Sequence, residues 1–287
     1  MVHFVQILLY GIVLGSVIAL GAIGVSLIFG ILRFAHFAHG DLMTLGAYLA
    51  LAGVSGLSLP MFFAFLIGIA GTAAISVGID RVLYRQLRRV SPIILLISSL
   101  GVALMVRSSI QMIWGPDNKI YSGGVTMPWV VEGIRIKPEW IYIVGGAVVL
   151  MVLLHLFLQR TRLGKAMRAM SDNADLARVS GIDTEKVIIW TWIIAGVLAA
   201  AAGIFLGLDT RLHPIMGWKL LLPVFAAAIF GGIGKPYGAI AGALVIGIAQ
   251  EFSTLFISPA YKPAVAFGLM VAILVWRPTG LFSGKVL

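Results

Sequence analysis

Residues 160–186 read RTRLGKAMRAMSDNADLARVSGIDTEK. They form a long polar, helix-prone interruption between two apolar runs, 140–158 and 187–208. Asn173 or Asp172 is placed to cap a short helix over 174–180, with Asp175 in its first turn, where negative charge is favoured. Gly181 suits the stop, because the residue after a helix often needs a left-handed backbone. Asp183 or Thr184 can cap the following run, with Glu185 near its positive end. The stretch therefore holds one or two short surface helices between two long apolar ones. On the shorter of these, Leu176, Val179 and Ile182 make an apolar stripe.

The flanking runs are typical of the chain. Of its 287 residues, 60% are hydrophobic and only 11% charged, and the mean hydropathy is +1.05. Soluble domains carry about 25% charged residues, so lipid is the main solvent here. A bilayer core needs about 20 mainly apolar residues per helix. Candidate spans are 4–31, 40–57, 60–79, 91–113, 140–158, 187–208, 217–233, 236–257 and 260–276. The seventh and ninth are short enough to be partly re-entrant. The expected fold is an all-α polytopic membrane protein, a bundle of about 8–9 transmembrane helices with broken or re-entrant segments. The N-terminus lacks a basic leader, and the first run is too long for a signal-peptide core, so it reads as a retained span.

The formal net charge is +10. No basic–aromatic stripe or nucleic-acid motif accompanies it, and the basic residues fall in loops, where they set orientation. Segment 80–90 holds four Lys and Arg (Arg81, Arg85, Arg88, Arg89), segment 159–186 holds six, and Arg277 and Lys285 follow the last span. Arg33 and Lys235 add to this side. Lys119, Arg135, Lys137, Arg211, Lys219 and Lys262 occupy the other. The bias places the N-terminus outside and the C-terminus in the cytoplasm. Segment 114–139 is an external loop whose Pro116, Gly123, Gly124, Pro128 and Pro138 break any long regular element but leave room for a short hairpin. Trp114, Trp129 and Trp140 suit the outer aromatic belt.

Gly11/Gly15, Gly203/Gly207 and Gly238/Gly242 have the small-xxx-small spacing that lets helix backbones approach. Two glycine-rich breaks, IFGILRFAHFAHGDLMTLGAY (28–48) and IFGGIGKPYGAIAGALVIG (229–247), share Ile-Phe-Gly followed by a polar turn and a small-residue helix. Similar breaks in two halves of a chain are a trace of duplicated transporter architecture. His36, His39 and Asp41 are permissive metal ligands by type, but with no further cluster nearby they read as a polar hinge, satisfying backbone groups freed where a helix breaks. No metal site is expected. Arg107 is a charge inside the fourth span. Snorkelling to the outer interface is the favoured reading, with Glu251 as the candidate partner.

The chain has no phosphate-binding loop of its own, since Gly234-Lys235 is followed by Pro236 rather than Ser or Thr. Nor is a nucleophile arrangement legible, so an enzyme is not expected. A stand-alone secondary transporter would need an intramembrane ion or proton site, and the spans offer few acids. The stripe in 160–186 has two readings: docking in the groove of a soluble partner, or lying on the inner leaflet.

Four segments in order, GSVIALGAIGVSLIFGILRFAHFAHGDLMTLGAY near the start, TRLGKAMRAMSDNADLARVSGI, GGIGKPYGAIAGALVIG and WRPTGLF near the end, resemble the branched-chain amino-acid ABC-transporter permeases of LivH type. The resemblance covers nearly the whole chain. It implies a single permease domain over 1–287 in a bacterial inner membrane, importing branched-chain or related small amino acids by alternating access. It implies a second related permease subunit, two cytoplasmic ATPase subunits that bind ATP in its stead, and a periplasmic binding protein. A urea or short-amide permease of the same family is the alternative. Coupling to the ATPase would fall on segment 159–186, through Gly164, Ala169, Asn173, Leu176, Ala177, Val179, Gly181 and Ile182. The pathway or its hinges would involve His36, His39, Gly40 and Gly46 in the first break, and Gly231, Gly232, Gly234 and Gly238 in the second. Arg211, His213 and loop 114–139 are candidates for docking the binding protein. Many members carry Asn where this chain has His36, which bears on substrate more than on subunit class.

Overall fold

The computed structural model describes residues 2–88, 90–121 and 127–282, Val131 by its backbone alone. Arg89, Gly123, Gly124 and Lys285 lie outside the described residues.

The first apolar run is one helix, α1 (Val2–Leu32). It is apolar on all sides, as a helix enclosed by other helices must be, and most of it is buried. After a non-helical turn the chain enters α2 (His39–Leu51), which continues through a π-helical turn, Ala52–Gly56. Next come α3 (Met61–Ile79), a second π-turn at Asp80–Tyr84, the short α4 (Arg85–Leu87) and α5 (Pro92–Trp114). Residues 80–87, read from sequence as loop, thus prolong the preceding helix. Strands β1 (Trp129–Val131) and β2 (Ile134–Ile136) pair antiparallel. Glu132 and Gly133 both have positive φ, 50° and 84°, the signature of a type I′ hairpin turn.

The second half holds α6 (Pro138–Arg160), α7 (Arg162–Asp172), α8 (Ala174–Val179), α9 (Thr184–Asp209), α10 (Met216–Gly231), α11 (Pro236–Ser253) and α12 (Lys262–Trp276). Among the described residues six helical segments are long and apolar enough to cross a membrane. α10 is a shorter apolar helix of 16 residues, about 24 Å at 1.5 Å per residue. α1 and α9 form the buried centre, and α2, α10 and α11 pack on them. α3, α5, α6 and α12 are peripheral and turn many apolar side chains outward, where lipid would solvate them.

Contacts sort the connections into two ends. Gln6 meets Arg135, Lys119 pairs with Leu212 through the backbone, and Lys137 reaches Asp209. At the opposite end Arg33 meets Ser171, Arg88 meets Glu185, and Leu281 donates to the Phe230 carbonyl. The described basic connections that charge counting grouped on one side therefore lie at one end of the molecule.

α1 crosses α11 closely. A Cβ on Gly247 would stand 2.5 Å from Cα of Gly15, and one on Gly11 2.7 Å from Cα of Ile248. At Gly15 and Gly247 the backbones touch because neither residue carries a side chain. Gly247→Val should cost about 1–3 kcal/mol or more by overpacking, read as a lowered thermal unfolding midpoint of the purified protein. Gly145→Ala, whose added Cβ meets nothing within 4 Å, should leave that midpoint unchanged or slightly raised. Equal behaviour of the two variants would refute the backbone contact.

Candidate functional site

The segment 160–186 builds a small rigid element. Thr161 caps α7 by accepting from the Gly164 amide at 2.9 Å. Gly164 is buried against Phe157 and Leu158, with no room for a Cβ. Met167 and Met170 fasten α7 to the bundle, and Ala169 is half-buried. Asn173 caps α8, its Oδ1 accepting from the amides of Asp175 at 3.1 Å and Leu176 at 3.0 Å. Gly181, at φ +81°, ends it. The Gly181 amide donates to the Arg178 carbonyl and the Ile182 amide to Ala177, the paired bonds of a Schellman stop. Asp183 caps α9 through the Lys186 amide.

The stripe divides. Ala177 is buried and Ile182 packs against the core. Leu176 is 63% exposed and Val179 82%. α8 is thus rooted on one side and turns two apolar side chains outward on the other.

One hydrogen bond and one ion-pair cluster tie this element to the rest. Arg33 Nη2 donates to the Ser171 carbonyl at 3.0 Å. Arg88 donates to Glu185 at 2.7 Å and to the buried Asp80 at 2.5 Å. The first joins α7 to the turn after α1, and the second joins the start of α9 to the end of α3.

That turn, residues 33–38, lies within the first glycine-rich break. It opens at Arg33, φ +58°, and is enclosed by protein. The Phe37 amide donates to Ser99 Oγ at 3.1 Å, and His36 Nε2 lies 3.1 Å from the Tyr84 hydroxyl. Tyr84 stacks on Trp192 at 5.2 Å, and His36 meets the same indole edge-on at 4.9 Å. His39 is fully buried, its ring filling the space left by Gly24. Gly40 lies against the Gly217 carbonyl, and Gly46 against Ala200 and Thr72.

Arg107 departs from the expectation. It does not pair with Glu251, whose partner is Lys262 at 2.6 Å, and it does not snorkel. Its Nε and Nη2 donate to the two oxygens of Asp41, each at 2.9 Å, and its guanidinium lies 4.7 Å from the Trp218 ring centroid. Asp41 is fully buried at the start of α2, so its charge holds the guanidinium inward in the bidentate geometry Arg favours. The partners are 66 positions apart. The usable sequence signal was scarcity, since the spans offer Arg107 few acids.

In the second break, Gly232 and Gly234 take φ +108° and +83°. Gly231 and Gly238 meet backbone to backbone, with Gly242 against Ala227. Gly30 of the first break and Gly234 of the second are in contact, so the two Ile-Phe-Gly segments meet at one end. The WRPTGLF segment folds onto the second break through Leu281 N to Phe230 O (2.9 Å) and Phe282 N to Gly231 O (3.2 Å). At the opposite end a cavity of ≈ 1010 Å³ lies among α1, α6, α9, α10, α11 and α12.

Residues 7–274 match the family model described as branched-chain amino acid transport system / permease component. The chain belongs to this family. The permease component is the transmembrane part of such an ABC system and carries no ATPase domain. The chain is 33% identical to the high-affinity branched-chain amino acid permease protein BraD of Pseudomonas aeruginosa, over 98% of this chain and 96% of that protein. It is 31% identical to the permease protein LivH of Escherichia coli K12, with the same coverage. Among solved structures, PsaBC from Streptococcus pneumoniae in complex with Fab aligns with a TM-score of 0.52 at 14% identity, over 95% of this chain and 91% of that one. That likeness concerns the fold.

Removing one partner of a buried ion pair leaves the other charge uncompensated, at about 3–5 kcal/mol. Asp41→Ala and Arg107→Met should each lower stability by about that much. The double variant should lose clearly less than the sum, read by thermal unfolding of the purified proteins. Strict additivity would refute the pairing.

Proposed function

We propose that this permease imports branched-chain or related small amino acids across a bacterial inner membrane, with its N-terminus outside and the α7–α8 element in the cytoplasm. It works beside a second, related permease subunit. Two ATPase subunits supply ATP hydrolysis, and a periplasmic binding protein delivers substrate to the end that carries the β-hairpin, Arg211 and His213. The whole chain serves as one permease domain.

The observation that carries this reading is α8. It is capped at both ends, rooted through Ala177, and exposes Leu176 and Val179. A short helix held this stiffly passes on a push instead of absorbing it. Its apolar outward face suits the groove of a soluble partner. Arg33 and Arg88 supply attachments through which displacement of α7–α8 reaches the first break and the end of α3. Gly40, Gly46, Gly231 and Gly238 sit at backbone contacts where helices can shift with few side chains to repack.

In proteoliposomes holding the complete complex, the Leu176→Asp/Val179→Asp variant should lose at least tenfold in ATP-dependent leucine uptake and should no longer retain the ATPase subunits on purification. It should insert and unfold like the wild type, because both side chains point away from the bundle. Uptake at the wild-type rate would sink the coupling role and favour a helix that merely lies on the leaflet.

A further inference from the structure

The cavity at the end opposite α8 has a composition of its own. Its walls are largely apolar and include Val13, Leu14, Met216, Leu220 and Trp218. Around them stand three ammonium groups and two carboxylates. Lys262 pairs with Glu251 at 2.6 Å, and Lys137 with Asp209 at 3.6 Å. Lys219 has no ion-pair partner among the described residues, although it lines the same space. From the sequence alone these three lysines read as orientation charges in external loops.

We infer that this cavity is a transient binding site for a zwitterionic α-amino acid with an apolar side chain, its carboxylate taken by Lys219 and its ammonium by Glu251. The inference rests on the import reading above and adds the place and groups of substrate contact. The cavity carries one cation beyond its carboxylates, so an arriving carboxylate has a partner without displacing another anion. Asp209 is already engaged by the Trp140 indole N–H at 2.7 Å and by Lys137. Glu251 is held by Lys262, an ammonium that a substrate ammonium can replace charge for charge. A substrate ammonium on Glu251 replaces one charge-assisted ammonium–carboxylate contact by another of the same kind, so the exchange is close to balanced. A site on a transport path needs that balance, since binding must be strong enough to admit and weak enough to release. The apolar walls accommodate the side chain, in the usual manner of small-molecule pockets with a few placed polar groups. Trp218 belongs to these walls and also lies beneath the Arg107 guanidinium, so the site borders the buried ion pair.

The test uses the complete complex, with leucine as the probe. Saturation-transfer NMR, without binding protein, should detect leucine in the wild type. The signal should be far weaker for 4-methylvalerate, which lacks the ammonium, and for isoamylamine, which lacks the carboxylate. Lys219→Gln and Glu251→Gln should each reduce the leucine signal and cut uptake at least fivefold. Lys219→Arg and Glu251→Asp should restore part of both, and Gln111→Ala, exposed on α5 toward the same end but outside the cavity, should match the wild type. Unfolding midpoints near that of the wild type exclude a folding defect as the cause. Wild-type uptake that persists unchanged in Lys219→Gln and Glu251→Gln overturns the site and leaves the import reading standing. A wild-type complex that imports no leucine overturns both.

Discussion

A backbone amide released from a helix inside hydrocarbon has only protein to bond to. The first break exists under that constraint. Between α1 and α2 the chain leaves helical geometry, and Ser99 and the surrounding rings close over it. α1 must be central to allow this, because a peripheral break would face lipid. A central α1 in turn needs neighbours without side chains at the crossing points, which is the task of Gly11, Gly15 and Gly247. The glycine content, the buried first helix and the polar hinge are therefore one solution to one problem.

The same constraint explains the placement of charge. Asp41 and Asp80 are both buried, and each has an arginine beside it, Arg107 brought in from a distant helix and Arg88 carried there by the continuing helix. The Asp41 pair lies within the bundle, against Trp218. The Asp80 pair lies at the end that carries α8 and shares its arginine with Glu185. One steadies the interior, and the other links two helices to the element that meets the motor in the proposed mechanism. Neither arginine acts as a mere orientation signal.

Much of this was legible in the residues. The long apolar runs marked the helices to within a few positions, because hydrocarbon thickness leaves little freedom in length. The caps of α8 and α9 were readable at Asn173, Gly181 and Asp183, because capping is local chemistry. Partners distant in sequence were not. Arg107 was assigned to Glu251 because helical periodicity shows which face a residue occupies but not which helix lies opposite. Residues 80–87 were read as loop because their arginines looked solvated. The buried Asp80 accounts for the difference: it needs a cation beside it, and the continuing helix brings Arg88 there. The charged cavity was hidden for a related reason. Its lysines sit at helix ends, where a count treats them as loop charges, and only folding gathers them.

The bidentate Asp41–Arg107 pair has an electrical consequence. Moving one elementary charge through a membrane potential involves about 2.3 kcal/mol per 100 mV. Two opposite charges locked together and displaced as a unit involve almost none. A rocking motion that carries α2 and α5 together can then run at the same energetic cost whether the cell is strongly or weakly polarised. The pair would then stiffen the bundle without adding to any dependence of import on the voltage across the membrane.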